Sequence, residues 1–245
     1  DVSSQFISGL LFVLPMLKGD SEIEITGTLE SAPYIDMTIY AQSLFGVSVE
    51  RNGNVIKVKG NSQYKPLDVT VEGDCSNAAF FEALKVLGHD VEVAGINKNT
   101  LQGDIVFYNY FEKLKNGTPT LDMSDCPDLA PVVMAVAAAK GGATLVGTKR
   151  LKIKESDRGA AIATELSKFG CSVLVEENKM TVPKSDIKKP VVALNGHNDH
   201  RIVMALSVMA TLTGGEILGA EAVGKSFPDF FEKLKTLGID IKVKK

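Results

Sequence analysis

Apolar residues follow two periods along the chain, and the change from one to the other recurs. "SSQFISGLLFVLPMLKGDSEIEITG" reads as a capped apolar helix, a Lys-Gly-Asp stop and a short alternating strand. "DLAPVVMAVAAAKGGATLVG" and "DHRIVMALSVMATLTGGEILGA" keep that order, each broken by Gly-Gly. A second helix follows in each case: "APYIDMTIYAQSLFGVSVE", "SDRGAAIATELSKFGCSVLVE" and "FPDFFEKLKTLGIDIKVK". All three close on Phe-Gly or Leu-Gly and run into an alternating strand. A looser copy joins "SNAAFFEALKVLGHDVEVAG" to "LQGDIVFYNYFEKLKNG". The pattern predicts four helix–strand–helix–strand units, with about 25 to 30 residues between paired helix starts. α/β chains alternate anyway, but the shared breaks favour repetition over coincidence.

Between the first unit and the rest lies "VKGNSQYKPLDVTVEGDCS", polar, with Gly, Pro and a short strand. It predicts a boundary near Gly73, dividing 1–73 from 74–245. The class is α/β or α+β. One junction is unusual. Arg150, Lys152 and Lys154 alternate with Leu151 and Ile153, so an extended chain would line three cations on one face. Glu155-Ser156-Asp157-Arg158 then opens a helix whose Ile162, Leu166 and Phe169 form an apolar stripe.

Composition narrows the choice. The 245 residues are 44% hydrophobic and 23% charged, ordinary for a globular chain. With a net charge of −3 there is no global basic field to suggest nucleic acid, so any anion site is local. The apolar run from Phe6 to Leu17 is too short to span a bilayer, so no membrane segment is expected. Cys75, Cys126 and Cys171 lack CxxC spacing, which argues against a disulfide frame or structural zinc and fits a reducing cytoplasm. No dinucleotide fingerprint or phosphate-binding loop of the Walker type occurs.

The chemically expressive residues sit at helix starts: Ser3-Ser4-Gln5, Ser31 to Tyr34, Asp125 to Asp128, Glu155 to Arg158, Asn198 to Arg201, and Lys225 to Asp229. Helix N-termini present unpaired N–H groups and partial positive charge, so converging ends would attract anions. Ser3, Ser4, Ser156 and Asp199 serve equally well as plain caps, Tyr34 as a half-buried aromatic, and the Lys149–Lys154 run as a solvated face. Arg158 and Arg201 resist that reading, because a cation in the first helical turn opposes the dipole. A bound anion would explain both, with Lys225 as a third cation. His200 lacks ligand spacing for a metal, and His89 and His197 read as loop or surface residues. Asp128 and Glu155 stand among these cations, an arrangement that holds anions and still moves protons. The residues alone point to a metal-free enzyme for a phosphorylated, carboxylated small molecule.

"SSQF", "SAPYID", "IKESDR", "NDHR" and "GKSFPDFF", supported by "QGD" and "CPDLAP", resemble the 5-enolpyruvylshikimate-3-phosphate synthase family and fall in its order over the whole chain. That resemblance implies an inside-out α/β barrel of the enolpyruvyl transferase type, built from repeated helix–strand units in two domains. It implies transfer of the enolpyruvyl group of phosphoenolpyruvate to the 5-hydroxyl of shikimate-3-phosphate with release of phosphate, by addition and elimination, without metal or organic cofactor. Ser3, Ser4, Gln5, Ser31, Tyr34, Asp128 and Lys154 match positions for shikimate-3-phosphate. Gln5, Arg158, Arg201 and Lys225 match positions for phosphoenolpyruvate. Asp128 matches the base on the 5-hydroxyl and Glu155 the proton donor to the methylene carbon; His200 carries no role, and Arg150 departs from the family's small polar residue.

Family chains are longer ahead of Ser3, so 1–73 is expected to be the last repeat unit of one domain plus a hinge, and 74–245 a complete domain of three units. The missing N-terminal portion is then the expected partner, beside the two small-molecule substrates. Two readings compete: a UDP-N-acetylglucosamine enolpyruvyl transferase, which lacks the "SSQF … PYID" pair, and a non-catalytic anion-binding domain.

Overall fold

The computed structural model describes residues 4–27 and 29–243. The chain divides into two compact units, 1–72 with 97–103, and 73–96 with 104–245. Glu72 shows why the short stretch belongs with the first unit: its carboxylate accepts from Thr100 Oγ1, from Gln102 Nε2 at 3.0 Å and from Asn97 Nδ2 at 3.2 Å.

In the first unit, helix α1 (Ser4–Val13) and strand β1 (Ser21–Glu24) precede α2 (Ala32–Leu44) and the hairpin β2 (Val49–Asn52) and β3 (Val55–Val58). The Gly53-Asn54 pair between two alternating strands is a hairpin signal. β3 lies between β1 and β2, antiparallel to both, with Val58 facing Ser21 on one side and Val49 on the other. Ile7, Leu11, Ile35, Ile56 and Val58 fill the core beneath the sheet. Thr38 Oγ1 donates to Ser8 Oγ at 2.8 Å, and Gln42 Nε2 reaches the carbonyl of Leu11. The paired positions advance together, so α1 and α2 run parallel and their N-termini share one end.

The second unit has three helix pairs: α3 (Cys75–Leu87) with α4 (Phe107–Asn116), α5 (Ala130–Ala139) with α6 (Arg158–Lys168), and α7 (His200–Thr213) with α8 (Phe230–Thr236). α5 carries no charged side chain and is buried throughout from Ala130 to Ala138; α7 is buried from His200 to Met209. A helix apolar on every face belongs inside a core. α3, α5 and α7 each pack against the other two, and their small residues permit close approach. The second helices are amphipathic instead: α6 buries Ile162 and Leu166, with Phe169 just beyond it, as its stripe requires. Gly46 after α2 and Gly170 after α6 adopt φ of 82° and 92°, the left-handed stop that the Phe-Gly endings call for.

β4 (Thr120–Asp122), β5 (Ala143–Val146), β6 (Leu174–Val175) and β7 (Lys179–Val182) form a sheet in the order β4-β5-β7-β6, parallel only between β4 and β5. β8 (Leu194–Asn195) and β9 (Ile217–Leu218) pair in parallel. The alternating stretches after α3 and α8 form no strand, although Val91, Val93, Ile239 and Ile241 turn inward while Asp90, Glu92, Asp240 and Lys242 face out. Alternation sets which face packs; a strand also needs a neighbouring backbone to bond. The short strand expected in the linker is absent too, with Val69 and Val71 both exposed. Among the described residues, no helix is long and apolar enough to cross a membrane.

Candidate active site

In the second unit the starts of four helices meet. Pro127 and Pro131 open α5 through a tight turn, Pro127–Leu129, because a residue without N–H is tolerated where the helix has no acceptor to offer. Asp128 lies in that turn. Its Oδ1 accepts from Arg158 Nη1 at 2.8 Å and stands 3.4 Å from Lys154 Nζ, while its Oδ2 is 3.5 Å from Arg201 Nη2. Arg158, the first residue of α6, donates from Nε to Asp199 Oδ2 at 2.9 Å and from Nη2 to Glu155. Asp199 in turn caps α7 by accepting from the Arg201 backbone N–H at 2.9 Å. Arg201 reaches α3, donating from Nη2 to Ser76 Oγ at 2.7 Å and from Nη1 to Asn77 Oδ1 at 3.2 Å. Lys225 Nζ donates to Asn198 Oδ1 at 2.9 Å, next to Asp199 in sequence. Asp128, Lys154, Glu155, Arg158, Arg201 and Lys225 are therefore brought to one neighbourhood.

Charges are nearly balanced within it. Burial pushes the Asp128 carboxyl up, but Arg201, Lys154 and Arg158 outweigh burial and hold it well below the usual carboxylate range. Asp199, fully buried, follows the same logic: burial raises it, and the hydrogen bond and charge of Arg158 bring it below its ordinary value. Arg158, only 1% exposed, keeps its proton even more firmly than usual, since Asp128 and Asp199 overcome its burial. Asp104, in the turn that leads into α4, goes the other way. Burial first, then Asp128, push its carboxyl up to about 7 despite Arg201. His200 is held below its ordinary value by burial and by Arg201.

Three expectations are corrected. Lys149–Ile153 forms a turn of 3-10 helix, not a strand: Leu151 finds the core, Ile153 is exposed, and the segment joins no sheet among the described residues. The cations Arg150, Lys152 and Lys154 therefore do not share an extended face. Ser156 caps nothing; Asp157 caps α6 through Ala160 N, and the Ser156 hydroxyl donates to Asp199 at 3.0 Å. His197 lies in the turn ahead of α7, as expected of a loop residue, and its Nε2 sits 3.1 Å from the buried Glu165 carboxylate. Lys225 ends a turn over Ala220–Lys225 and is separated from α8.

In the first unit, Ser4 is buried at the start of α1 with Gln5 exposed beside it. Ser31 is buried at the head of α2 in a left-handed conformation, φ 58°, and its side chain makes no cap. Tyr34 is half-buried in the first turn of α2, its N–H donating to the Ser31 carbonyl at 3.2 Å. Because the two helices run parallel, these four lie at the same end of the unit. Ser3 lies outside the described residues. Cys75, Cys126 and Cys171 are buried, and among the described residues they form no disulfide. Among the described residues, no three His, Cys, Asp or Glu side chains gather as a metal-binding group.

A sequence model of EPSP synthase (3-phosphoshikimate 1-carboxyvinyltransferase) matches residues 1–234. The chain belongs to the EPSP synthase family. It is 39% identical to the 3-phosphoshikimate 1-carboxyvinyltransferase of Clostridium botulinum (strain Alaska E43 / Type E3), over 97% of this chain and 60% of that protein. Against the enzyme of the same name from Clostridium acetobutylicum it is 40% identical, over 98% of this chain and 60% of that protein. The fold matches that of EPSP synthase from Acinetobacter baumannii with a TM-score of 0.82, covering 100% of this chain and 62% of that one at 23% identity. The chain thus spans about three fifths of the length of the curated relatives it matches. Within the EPSP synthase frame, the residues that the motifs alone did not assign are Asp199, Asp104, Ser76 and Asn77. The signal for Asp199 was its place two residues ahead of a helix-opening cation, Arg201; a cap was the simpler reading, and the residue both caps α7 and holds Arg158.

Proposed function

We propose that this chain contributes the Asp128, Lys154, Glu155, Arg158, Arg201 and Lys225 side of a 3-phosphoshikimate 1-carboxyvinyltransferase active site. Ser3, Ser4, Gln5, Ser31 and Tyr34 are assigned further contacts to shikimate-3-phosphate, and Gln5 also to phosphoenolpyruvate. The observation that carries the reading is the Asp128 carboxylate held ionised between Arg158, Arg201 and Lys154 at the start of α5. An ionised carboxylate orients and deprotonates a hydroxyl, and cations around it receive a carboxylate and phosphates.

In the addition step, Asp128 takes the proton of the 5-hydroxyl, the hydroxyl oxygen bonds to C2 of phosphoenolpyruvate, and Glu155 gives a proton to C3. In elimination, the ionised Glu155 takes a proton from C3 and the C2–C3 double bond re-forms. The C2–O bond to phosphate breaks, and phosphate leaves with the electron pair and the proton held on Asp128. Arg158, Arg201 and Lys225 stabilise the charge on the tetrahedral intermediate, an electrostatic contribution of the kind that dominates many active sites. Glu155 is the most exposed carboxylate partner of Arg158, with a side chain 39% accessible, so it yields first to an incoming anion.

The partner is the segment that the longer relatives carry ahead of the matched stretch; within this chain, 1–73 is the last repeat unit of one domain plus a hinge, and 74–245 is a complete domain of three units. α1 is the sequence counterpart of α5 and α7, yet Phe6, Leu10 and Phe12 are exposed on it where α5 is buried from Ala130 to Ala138. Two further units of the same build would cover such a face. The test is phosphate release from phosphoenolpyruvate and shikimate-3-phosphate, by the chain alone and with that N-terminal segment of the Clostridium botulinum relative added. Turnover only in the mixture is expected. Full turnover by the chain alone overturns the complementation, and calorimetry showing neither substrate bound in the mixture overturns the assignment.

A further inference from the structure

The mechanism above uses the guanidinium of Arg201 but not the residues that hold it. Asp74, just ahead of α3, faces Arg201 through two intermediaries. Its Oδ1 accepts from the Ser76 hydroxyl at 2.6 Å, and its Oδ2 accepts from Asn77 Nδ2 at 3.1 Å. Ser76 Oγ then accepts from Arg201 Nη2 at 2.7 Å, and Asn77 Oδ1 accepts from Arg201 Nη1 at 3.2 Å. We propose that Ser76 and Asn77, polarised by Asp74, are positioning residues that fix the Arg201 guanidinium in the orientation an anionic guest requires.

The chemistry of the pair dictates its polarity. A carboxylate only accepts, so both bridging groups must spend their hydrogens on Asp74 and offer lone pairs to Arg201. A hydroxyl and an amide could otherwise turn either way; here one charge sets both. One turn along α3, the Phe80 ring lies 5.9 Å from Arg201 Cζ and bounds the guanidinium on one side. Three side chains of one helix thus hold a group that belongs to another. α3 and α7 run parallel, since Ser76 meets Arg201 at their starts and His89 meets Thr211 at 2.8 Å near their ends. The relay therefore ties together the site ends of two core helices.

The relay engages one hydrogen of each Nη and leaves Nε alone. Arg201 Nε is buried and has no partner among the described residues, although the residue is only 5% exposed. A buried N–H without an acceptor is costly unless something else supplies one. A carboxylate or phosphate oxygen is the acceptor that suits a guanidinium edge. The functional half of this inference rests on the reading that Arg201 meets a guest anion; the positioning half does not.

Arginine side-chain NMR separates the two. In the whole chain labelled with nitrogen-15 arginine, the Nε–H and Nη signals of Arg201 are assigned by their loss in Arg201→Lys. The parent should show slow guanidinium rotation at Arg201. Ser76→Ala and Asn77→Ala should each speed that rotation while leaving the Arg158 signals, held by Asp128, Glu155 and Asp199, unchanged. Inorganic phosphate should move the Arg201 Nε signal, with affinity falling about tenfold in either variant. If Arg201 rotation is unaltered in both variants, or if Arg158 shifts equally, the positioning role is wrong. If rotation changes but phosphate never moves the Arg201 Nε signal, the relay stands and the anion assignment falls.

Discussion

Replacing Asp104 by Asn removes a carboxyl that the fold accommodates best when it is neutral. The rise from the ordinary 3.8 to about 7 comes first from burial, then from Asp128 and Asp74, with Arg201 and Lys154 opposing. A folded-state value above the unfolded one means that the native chain binds the proton more tightly. The associated stability is fully present below about pH 4 and is lost as pH rises through about 7. The full difference corresponds to about 4 kcal/mol. Roughly half of it, about 2 kcal/mol, falls between pH 5.5 and pH 8.5. Asparagine is neutral at every pH and keeps the shape. Urea unfolding of parent and Asp104→Asn, followed by circular dichroism at those two pH values, should therefore show the variant gaining about 2 kcal/mol on the parent toward alkaline pH. Other titrating groups act on both proteins and cancel in the difference. A gap that stays constant across the range would mean that Asp104 ionises normally, and the assignment of its environment would be wrong.

Asp199→Asn should cost roughly 3 to 5 kcal/mol in urea unfolding at pH 7, because it takes from the buried Arg158 charge its fully buried carboxylate partner. Asp199 is held below its ordinary value, so its contribution is present above the carboxylate range and disappears as pH falls through its folded value; parent and variant should converge in acid. Asp128→Asn should lower turnover in the complemented enzyme by about a hundredfold to ten-thousandfold, as removal of a general base does. Phosphate-release kinetics would read it, and retention of full turnover would reassign the base.

The repeat was legible because each helix-to-strand change ends on a glycine stop and three of the first helices carry a long uncharged apolar run, both visible without a partner. The strands were less legible. Val91 with Val93 and Ile239 with Ile241 carry the alternation and even the correct facing, yet pairing depends on a neighbour whose position no local pattern encodes. Lys149 to Lys154 misled for the same reason, since only Leu151 had a core to enter. At the site, single residues with an awkward charge, Arg158 and Arg201, were the strongest signal. Asp199 and Asp104 were weaker because a helix cap and a carboxylate in a turn are common on any surface. What distinguishes them is depth, and burial of a polar residue arises from packing between distant segments, here brought together from α3, α5, α6 and α7.

The charge expected from a bound anion at the heads of these helices is already supplied by the chain itself. Asp199 neutralises Arg158 from below, fully buried, while Asp128 and Glu155 cover it with side chains 20% and 39% exposed. An arriving anion competes with the two accessible carboxylates and not with Asp199. Those two are the groups to which the family resemblance gives proton transfer. Once an anion shares Arg201, Lys154 and Arg158, the forces that keep Asp128 acidic weaken, and a nearby negative charge raises its proton affinity further. The base would thus become effective only when the site is filled. Sulfate tests this without titrating itself near neutrality. With carbon-13 aspartate labelling, the Asp128 carboxyl should stay ionised in the free chain down to acid unfolding, and its titration should move to higher pH when sulfate is saturating. Sulfate that binds, by the movement of Arg201, yet leaves the Asp128 titration where it was would refute the coupling between filling the site and arming its base.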